Sequence, residues 1–147
     1  MSMTATANEI QTLDVRKEIQ IDAPIDIVFD TIINDHYGPM GDMQLKLEAW
    51  PGGRWYRDLG NKTGHLWGHV QVIKPPKLLE ITGPMFMSYP VASFLQYRLT
   101  EEGSGTKLSL MHQAFGMISP QHLEGVNKGW GEITVQIKAK AEAKKKR

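Results

Sequence analysis

Two polar side chains lie in predicted strands among apolar neighbours, and they are the residues best placed to contact a substrate or ligand. His112 follows Leu108 and Leu110 at alternate positions, so its imidazole is expected to face the interior. It could bond a ligand's polar group or assist proton transfer, although a buried histidine is more often a satisfied structural donor. Arg57, two residues after Trp55, either anchors a carboxylate or extends towards solvent at the strand end.

The sequence contains no motif typical of the common catalytic and metal-binding sites. Cysteine is absent, so no disulfide, thiolate nucleophile or cysteine metal site is available. His65 and His69 have no third ligand at a suggestive spacing, which disfavours zinc. No serine lies in a Gly-x-Ser-x-Gly elbow, and no glycine-rich phosphate loop precedes a helix. We therefore predict no metal and no other cofactor.

Composition indicates one globular domain without a nucleic-acid partner. The 147 residues include 41% hydrophobic ones, which suffices for a single core. The formal net charge of +1 argues against nucleic-acid binding. No apolar run reaches the ~20 residues of a membrane span, and the N-terminus has no signal-peptide core, so we expect a cytoplasmic protein. We predict a flexible segment at 1–13, one domain at 14–143 and a solvated basic tail at 144–147, and leave a homodimer open.

Hydrophobic periodicity predicts a strand, a helix, a series of hairpin-linked strands and a final long helix. Asp22-Ala23-Pro24 and Ser119-Pro120 are typical helix starts. Gly125, Gly129 and Gly131 fall in the first half of the last helix, where they either allow tight packing on the sheet or weaken the helix as a gate. Alternation and turn residues predict strands at 12–21, 43–49, 54–59, 66–73, 78–82, 91–99 and 106–115.

Five short segments in order resemble the START-like (SRPBCC) superfamily, and within it homologues of the C-terminal domain of the heat-shock-protein-90 ATPase activator. They are Ile21-Asp-Ala-Pro, Pro51-Gly-Gly, the stretch 68–79, the stretch 105–112 and Gly129-Trp. The resemblance implies an α+β helix-grip fold, in which a curved antiparallel sheet of six or seven strands wraps round a long C-terminal helix. It also implies a cavity between sheet and helix, as in related lipid carriers and polyketide cyclases.

The residues predicted to face that cavity share the inward side of the strands or the buried stripe of a helix. Alternation alone is equally typical of a filled core, and it is the resemblance that favours a cavity. Methionines near strand ends, including Met85 and Met87, suit either a pocket mouth or gap filling. The pocket candidates are Phe29, Met43, Leu45, Trp55, Arg57, Val70, Leu79, Ile81, Leu95, Tyr97, Leu110, His112, Trp130, Ile133 and Ile137.

Three functions are compatible with these observations. The first is binding of an apolar or aromatic small molecule without catalysis. The second is a cyclase-like enzyme in which His112 or Arg57 assists proton transfer in the same pocket. The third, implied by the resemblance, is an interaction module that assists a chaperone ATPase, with Trp67 or Phe94 exposed on the outer face of the sheet.

Overall fold

A seven-stranded antiparallel sheet and two helices make up the described part of the chain, which comprises residues 9–34 and 45–146 of the computed structural model. The sheet order is β1-β7-β6-β5-β4-β3-β2, and the long C-terminal helix packs mainly on β1 and on the first helix. This confirms the α+β helix-grip fold. The elements are β1 (Gln11–Ile21), α1 (Ile25–Asn34), β2 (Leu45–Leu47), β3 (Arg54–Gly60), β4 (Thr63–Lys74), β5 (Leu78–Gly83), β6 (Val91–Glu102), β7 (Gly105–Gly116) and α2 (Pro120–Lys145).

The longest strands pair without interruption. β1 and β7 are in register from Gln11 opposite Gly116 to Ile21 opposite Thr106, and β6 pairs with β7 along its whole length. Because an unbroken ladder keeps alternate side chains on one face, β6 and β7 send their apolar residues into one interior layer. His112 belongs to that layer.

The C-terminal helix begins with a cap. The Ser119 hydroxyl accepts a hydrogen bond from the backbone N–H of His122, and Pro120 occupies the first turn, as the sequence predicts. The helix continues through Lys145, where Lys144 pairs with Asp30 within α1 and Lys145 pairs with Asp22 just before it. Its buried stripe consists of Val126, Trp130, Thr134, Ile137 and Ala141.

The predicted strand at 43–49 is too long at its C-terminal end. The strand that the structure describes, β2, ends at Leu47 because the chain turns there: Glu48 bonds back to Arg54, and Gly53 donates to the Trp50 carbonyl. Met43 lies outside the described residues.

A β-bulge in β4 makes the prediction for Trp67 wrong. Trp55 pairs with Gly68 and Tyr56 pairs with Leu66, so Trp67 is an extra residue in the ladder. The extra residue shifts the alternation, and Trp67 faces the interior at 3% exposure while Leu66 is 46% exposed. Trp67 is therefore unavailable as part of an outer interaction surface; Phe94 is half-buried.

Two helices, α1 and α2, lie within the described ranges. Neither α1 nor α2 combines the length and the apolar character needed to cross a bilayer.

Candidate functional site

His112 lies at the centre of the interior with both ring nitrogens occupied. Trp130 of α2 donates its indole Nε1–H to His112 Nδ1 at 2.8 Å, and Ser93 Oγ of β6 lies 3.0 Å from Nε2. Because Nδ1 accepts, the proton of the neutral ring is on Nε2 and points to Ser93. His112 is 0% exposed, and this burial lowers its pKa to about 4. The imidazole is therefore neutral at physiological pH.

The His112 ring is part of a continuous line of ring contacts through the interior, here called the aromatic row. Each contact is edge to face, the geometry that aromatic quadrupoles favour. A row of this kind offers flat, rigid apolar surface to a neighbouring molecule. The ring centroids are separated by 5.1 Å for Trp55–Trp67, 5.6 Å for Trp67–Phe86, 6.2 Å for Phe86–His112, 5.7 Å for His112–Trp130 and 6.4 Å for Trp130–Tyr97.

The β5–β6 loop, residues 84–90, supplies the middle of this row. Met85 has a positive φ of 61° and donates its backbone N–H to the Trp67 carbonyl at 2.7 Å, which fixes the loop on the bulge of β4. Tyr89 stacks on His122 and shares a hydrogen bond with its Nδ1, which ties the loop to the first turn of α2. Between these anchors, Phe86 projects between sheet and helix.

On one side of Phe86 is an apolar cavity of about 190 Å³, here called the helix-side cavity. Gly125 and Gly129 lie on the face of α2 that borders it, and a Cβ built at either position would meet no atom within 4 Å. Tight packing of these two glycines on the sheet is therefore wrong as an explanation; whether this half of the helix acts as a gate stays a prediction. The lining residues are Phe86, His122, Gly125, Val126, Gly129, Trp130 and Ile133.

On the other side of Phe86 is a cavity of about 450 Å³, here called the sheet-side cavity. Phe86 is the residue that lines both cavities. Met85 and Met87 form much of the apolar wall, and Arg57 provides a cation. The lining residues are Arg57, Gly64, His65, Leu66, Trp67, Met85, Phe86, Met87 and Ser88.

The pocket candidates from the sequence fall into three groups. Trp130 and Ile133 line the helix-side cavity and Arg57 lines the sheet-side cavity. Trp55, Tyr97 and His112 form part of the aromatic row behind the cavity walls. The remaining described candidates are buried in the packed core, namely Phe29, Leu45, Val70, Leu79, Ile81, Leu95, Leu110 and Ile137.

Sequence reasoning missed the residues that the loop contributes. Phe86 and Tyr89 lie in a segment without periodicity, so no pattern assigns them a face. The available signal was the apolar Met85-Phe86-Met87 run between the helix and strand breakers Pro84 and Pro90, which is unusual for an exposed loop.

The described part of the chain contains no potential metal site. No three His, Asp or Glu side chains there are grouped closely enough to hold an ion. His65 and His69 are both exposed on β4.

Taken together, the curved antiparallel sheet, the C-terminal helix across it and the cavity along that helix define a START-like protein of the helix-grip type. Residues 22–142 match the profile of the family described as activator of Hsp90 ATPase homolog 1-like protein. Since the match covers most of the sequence, the chain belongs to this family. None of the curated proteins compared with the sequence matches it.

Solved structures share this fold at low sequence identity. Mll3558 from Rhizobium loti has a TM-score of 0.73 at 19% identity, over 90% of this chain and 99% of that one. A protein from Rhizobium leguminosarum has a TM-score of 0.70 at 17% identity, over 92% and 97%. CalU16 from Micromonospora echinospora has a TM-score of 0.60 at 23% identity, over 90% and 86%. At these identities the likeness establishes the fold alone.

Proposed function

We propose that this protein binds an apolar, aromatic small molecule between the β5–β6 loop and the N-terminal half of α2. The observation that carries the proposal is the unfilled space in front of Gly125 and Gly129. Alanine at either position would add a methyl group to the cavity and favour the helix by roughly 1 kcal/mol. Glycine at these two positions keeps the helix-side cavity open but lowers the stability of the helix. A ligand that occupies the cavity explains why glycine is present there.

The chemistry of the cavity wall suits an apolar guest. The cavity opens to solvent beside Gly125, which is exposed, and concave apolar surfaces with aromatic walls are typical of small-molecule sites. The aromatic edges of Phe86 and Trp130 offer stacking surface in addition to area burial. Phe86 lines both the helix-side and the sheet-side cavity, so a rotation of this side chain would change the space available in each.

Binding without catalysis agrees with the state of His112. Its ring nitrogens already bond Trp130 and Ser93, and its pKa of about 4 makes it a weak base at neutral pH. A direct bond from His112 to a ligand would require one of these partners to leave. The cyclase-like alternative therefore gains no support from this residue.

The proposal is tested by fluorescence titration with N-phenylnaphthylamine, a neutral aromatic probe that brightens in apolar surroundings. Wild type is compared with Gly125→Ala and Gly129→Ala, each of which places a methyl group in the helix-side cavity. Gly131→Ala is the matched control, since its Cβ would meet only the end of the Lys17 side chain at 4.0 Å, away from the cavity. All three changes should raise the free energy of unfolding by up to about 1 kcal/mol through helix propensity.

Probe binding distinguishes an effect on the cavity from an effect on helix stability. We expect Gly125→Ala and Gly129→Ala each to weaken probe binding by about 3- to 10-fold, the worth of roughly one displaced methylene or more. Gly131→Ala should bind like wild type. Absence of probe binding to wild type, or equal weakening by all three variants, would overturn the proposal.

A further inference from the structure

We infer that the ligand is an amphipathic organic anion, with its acidic group on Arg57 in the sheet-side cavity and its apolar body along Met85 and Met87 to Phe86. The inference rests on the proposed function and adds the chemical class of the ligand. It starts from the one buried side-chain nitrogen or oxygen that lacks a hydrogen-bond partner among the described residues, which is Nε of Arg57.

An unpartnered guanidinium nitrogen is costly in a protein interior. Nearly all buried polar groups are hydrogen-bonded, and an exception points to an absent water, ion or ligand. The cost is larger for a charged donor, because the guanidinium keeps its proton under all ordinary conditions. Arg57 therefore requires an acceptor from outside the described residues.

The acids closest to Arg57 in sequence are already engaged elsewhere. Asp58 bonds Lys46 at 3.1 Å and the backbone N–H of Gly60 at 2.9 Å. Glu48 uses one carboxylate oxygen for Nε of Arg54 at 2.9 Å and the other for its NH2 group at 2.7 Å. Neither of these two carboxylates is free to neutralise Arg57.

The surroundings of Arg57 are apolar on one side. Across the sheet it pairs with Leu45 on β2 and His65 on β4. The sheet-side cavity that it lines continues over Trp67, Met85 and Met87 to Phe86. A cation at one end of an apolar wall matches a molecule with an acidic head and an apolar body.

The volume and the chemistry together limit the ligand. A cavity of about 450 Å³ falls within the range of small-molecule sites. A carboxylate or sulfonate accepts charge-assisted hydrogen bonds from a guanidinium, which are about twice as strong as neutral ones. Arg57 is half-buried and only its Nε lacks a partner; a neutral acceptor would satisfy Nε alone, whereas an anion also attracts the guanidinium charge, which favours an anion over an alcohol or ketone of equal size.

The test uses two probes that differ only in an acidic group. Anilinonaphthalene sulfonate carries a sulfonate, and N-phenylnaphthylamine is the same molecule without it. The quantity of interest is the ratio of their affinities for one protein, because a change in pocket shape or folding affects both probes. The variants are Arg57→Gln, the shape-conserving Arg57→Met, and Arg16→Gln as the charge-matched control on an exposed side chain of β1.

We expect wild type to bind the sulfonate probe more tightly than the neutral probe. Both Arg57 variants should reduce this ratio of affinities by about 10- to 100-fold, which corresponds to the loss of one charge-assisted hydrogen bond. Arg16→Gln should leave it within about twofold, because screening weakens the effect of a distant surface charge. An unchanged ratio in the Arg57 variants, with neutral probe still bound, would overturn the anion anchor and spare the proposed function. Failure of the neutral probe to bind wild type would count against the proposed function instead.

Discussion

Mild acidification is expected to destabilise this fold through one buried side chain, His112. Burial holds the pKa of its imidazole at about 4, below the 6.5 of a free histidine. Since the unfolded chain binds the proton more readily, the contribution of neutral His112 to stability is complete above pH 6.5. It is lost progressively as the pH falls from 6.5 to about 4, and no further loss from this group follows below that value.

The magnitude follows from the two pKa values of 6.5 and about 4. Each tenfold difference in proton affinity corresponds to about 1.4 kcal/mol, so the whole window is worth roughly 3 kcal/mol. By pH 5, about 2 kcal/mol of that amount should be gone. For a domain of this size that is a substantial share of the total stability.

Urea denaturation followed by circular dichroism at intervals between pH 7 and pH 5 measures this loss. The matched variant is His112→Gln, whose amide can still face Trp130 and Ser93 but does not titrate. The pKa of Glu48, which Arg54 lowers to about 2, makes that carboxylate lose its contribution only from about pH 4.5 downwards, below the range measured. A wild type whose stability is flat from pH 7 to 5, or a glutamine variant that falls as steeply, would refute the assignment.

Two further predictions concern packing. Trp130→Phe should cost about 1–3 kcal/mol, because Nδ1 of His112 then remains buried without its donor; urea unfolding that shows an unchanged midpoint would contradict this. Trp67→Ala should cost about 3–5 kcal/mol because its indole is buried, whereas the exposed neighbour Leu66→Ala should change stability by less than about 0.5 kcal/mol. Similar losses in thermal unfolding for the two variants would show that the bulge does not orient these residues as described.

The sequence predicts the inward residues well where strands pair without interruption. β6 and β7 are in register along their full length, so alternation from Leu108 and Leu110 placed His112 in the interior correctly. Alternation conveys the side of the sheet because side chains reverse direction at each residue. The same signal could not tell a packed core from a cavity wall, since both are apolar.

The bulge in β4 marks the limit of that reasoning. One additional residue between the partners of Trp55 and Tyr56 reverses the direction of Trp67, and hydrophobic alternation does not reveal it. Gly68 could have been a hint, because glycine within a strand often accompanies a bulge or a close backbone approach. A Cβ there would lie 2.6 Å from the Thr82 carbonyl oxygen, so the neighbouring strand does approach closely.

The site depends on contacts between segments that are distant in sequence. Phe86 reaches the helix because Met85 is fixed to Trp67 and Tyr89 is fixed to His122. Each contact joins a loop without periodicity to an element elsewhere in the chain, so propensity and spacing carry no information about it. The sequence shows the glycines of α2 but not what they face. Only the structure shows that a Cβ at Gly125 or Gly129 would meet open space and not the sheet.

His112 and Arg57, the two polar side chains singled out from the sequence, differ in the hydrogen-bond partners that they have in the fold. His112 has a partner at each ring nitrogen, so its removal acts on the free energy of unfolding. Arg57 has a buried nitrogen without a partner among the described residues, and the bound anion that we propose would supply one. Replacing His112 should therefore change stability at constant probe preference, and replacing Arg57 should change probe preference without a comparable loss of stability. This division is the physical reason why we propose ligand binding with a structural role for His112, since proton transfer would need a titratable group that is both reachable and poised near neutral pH.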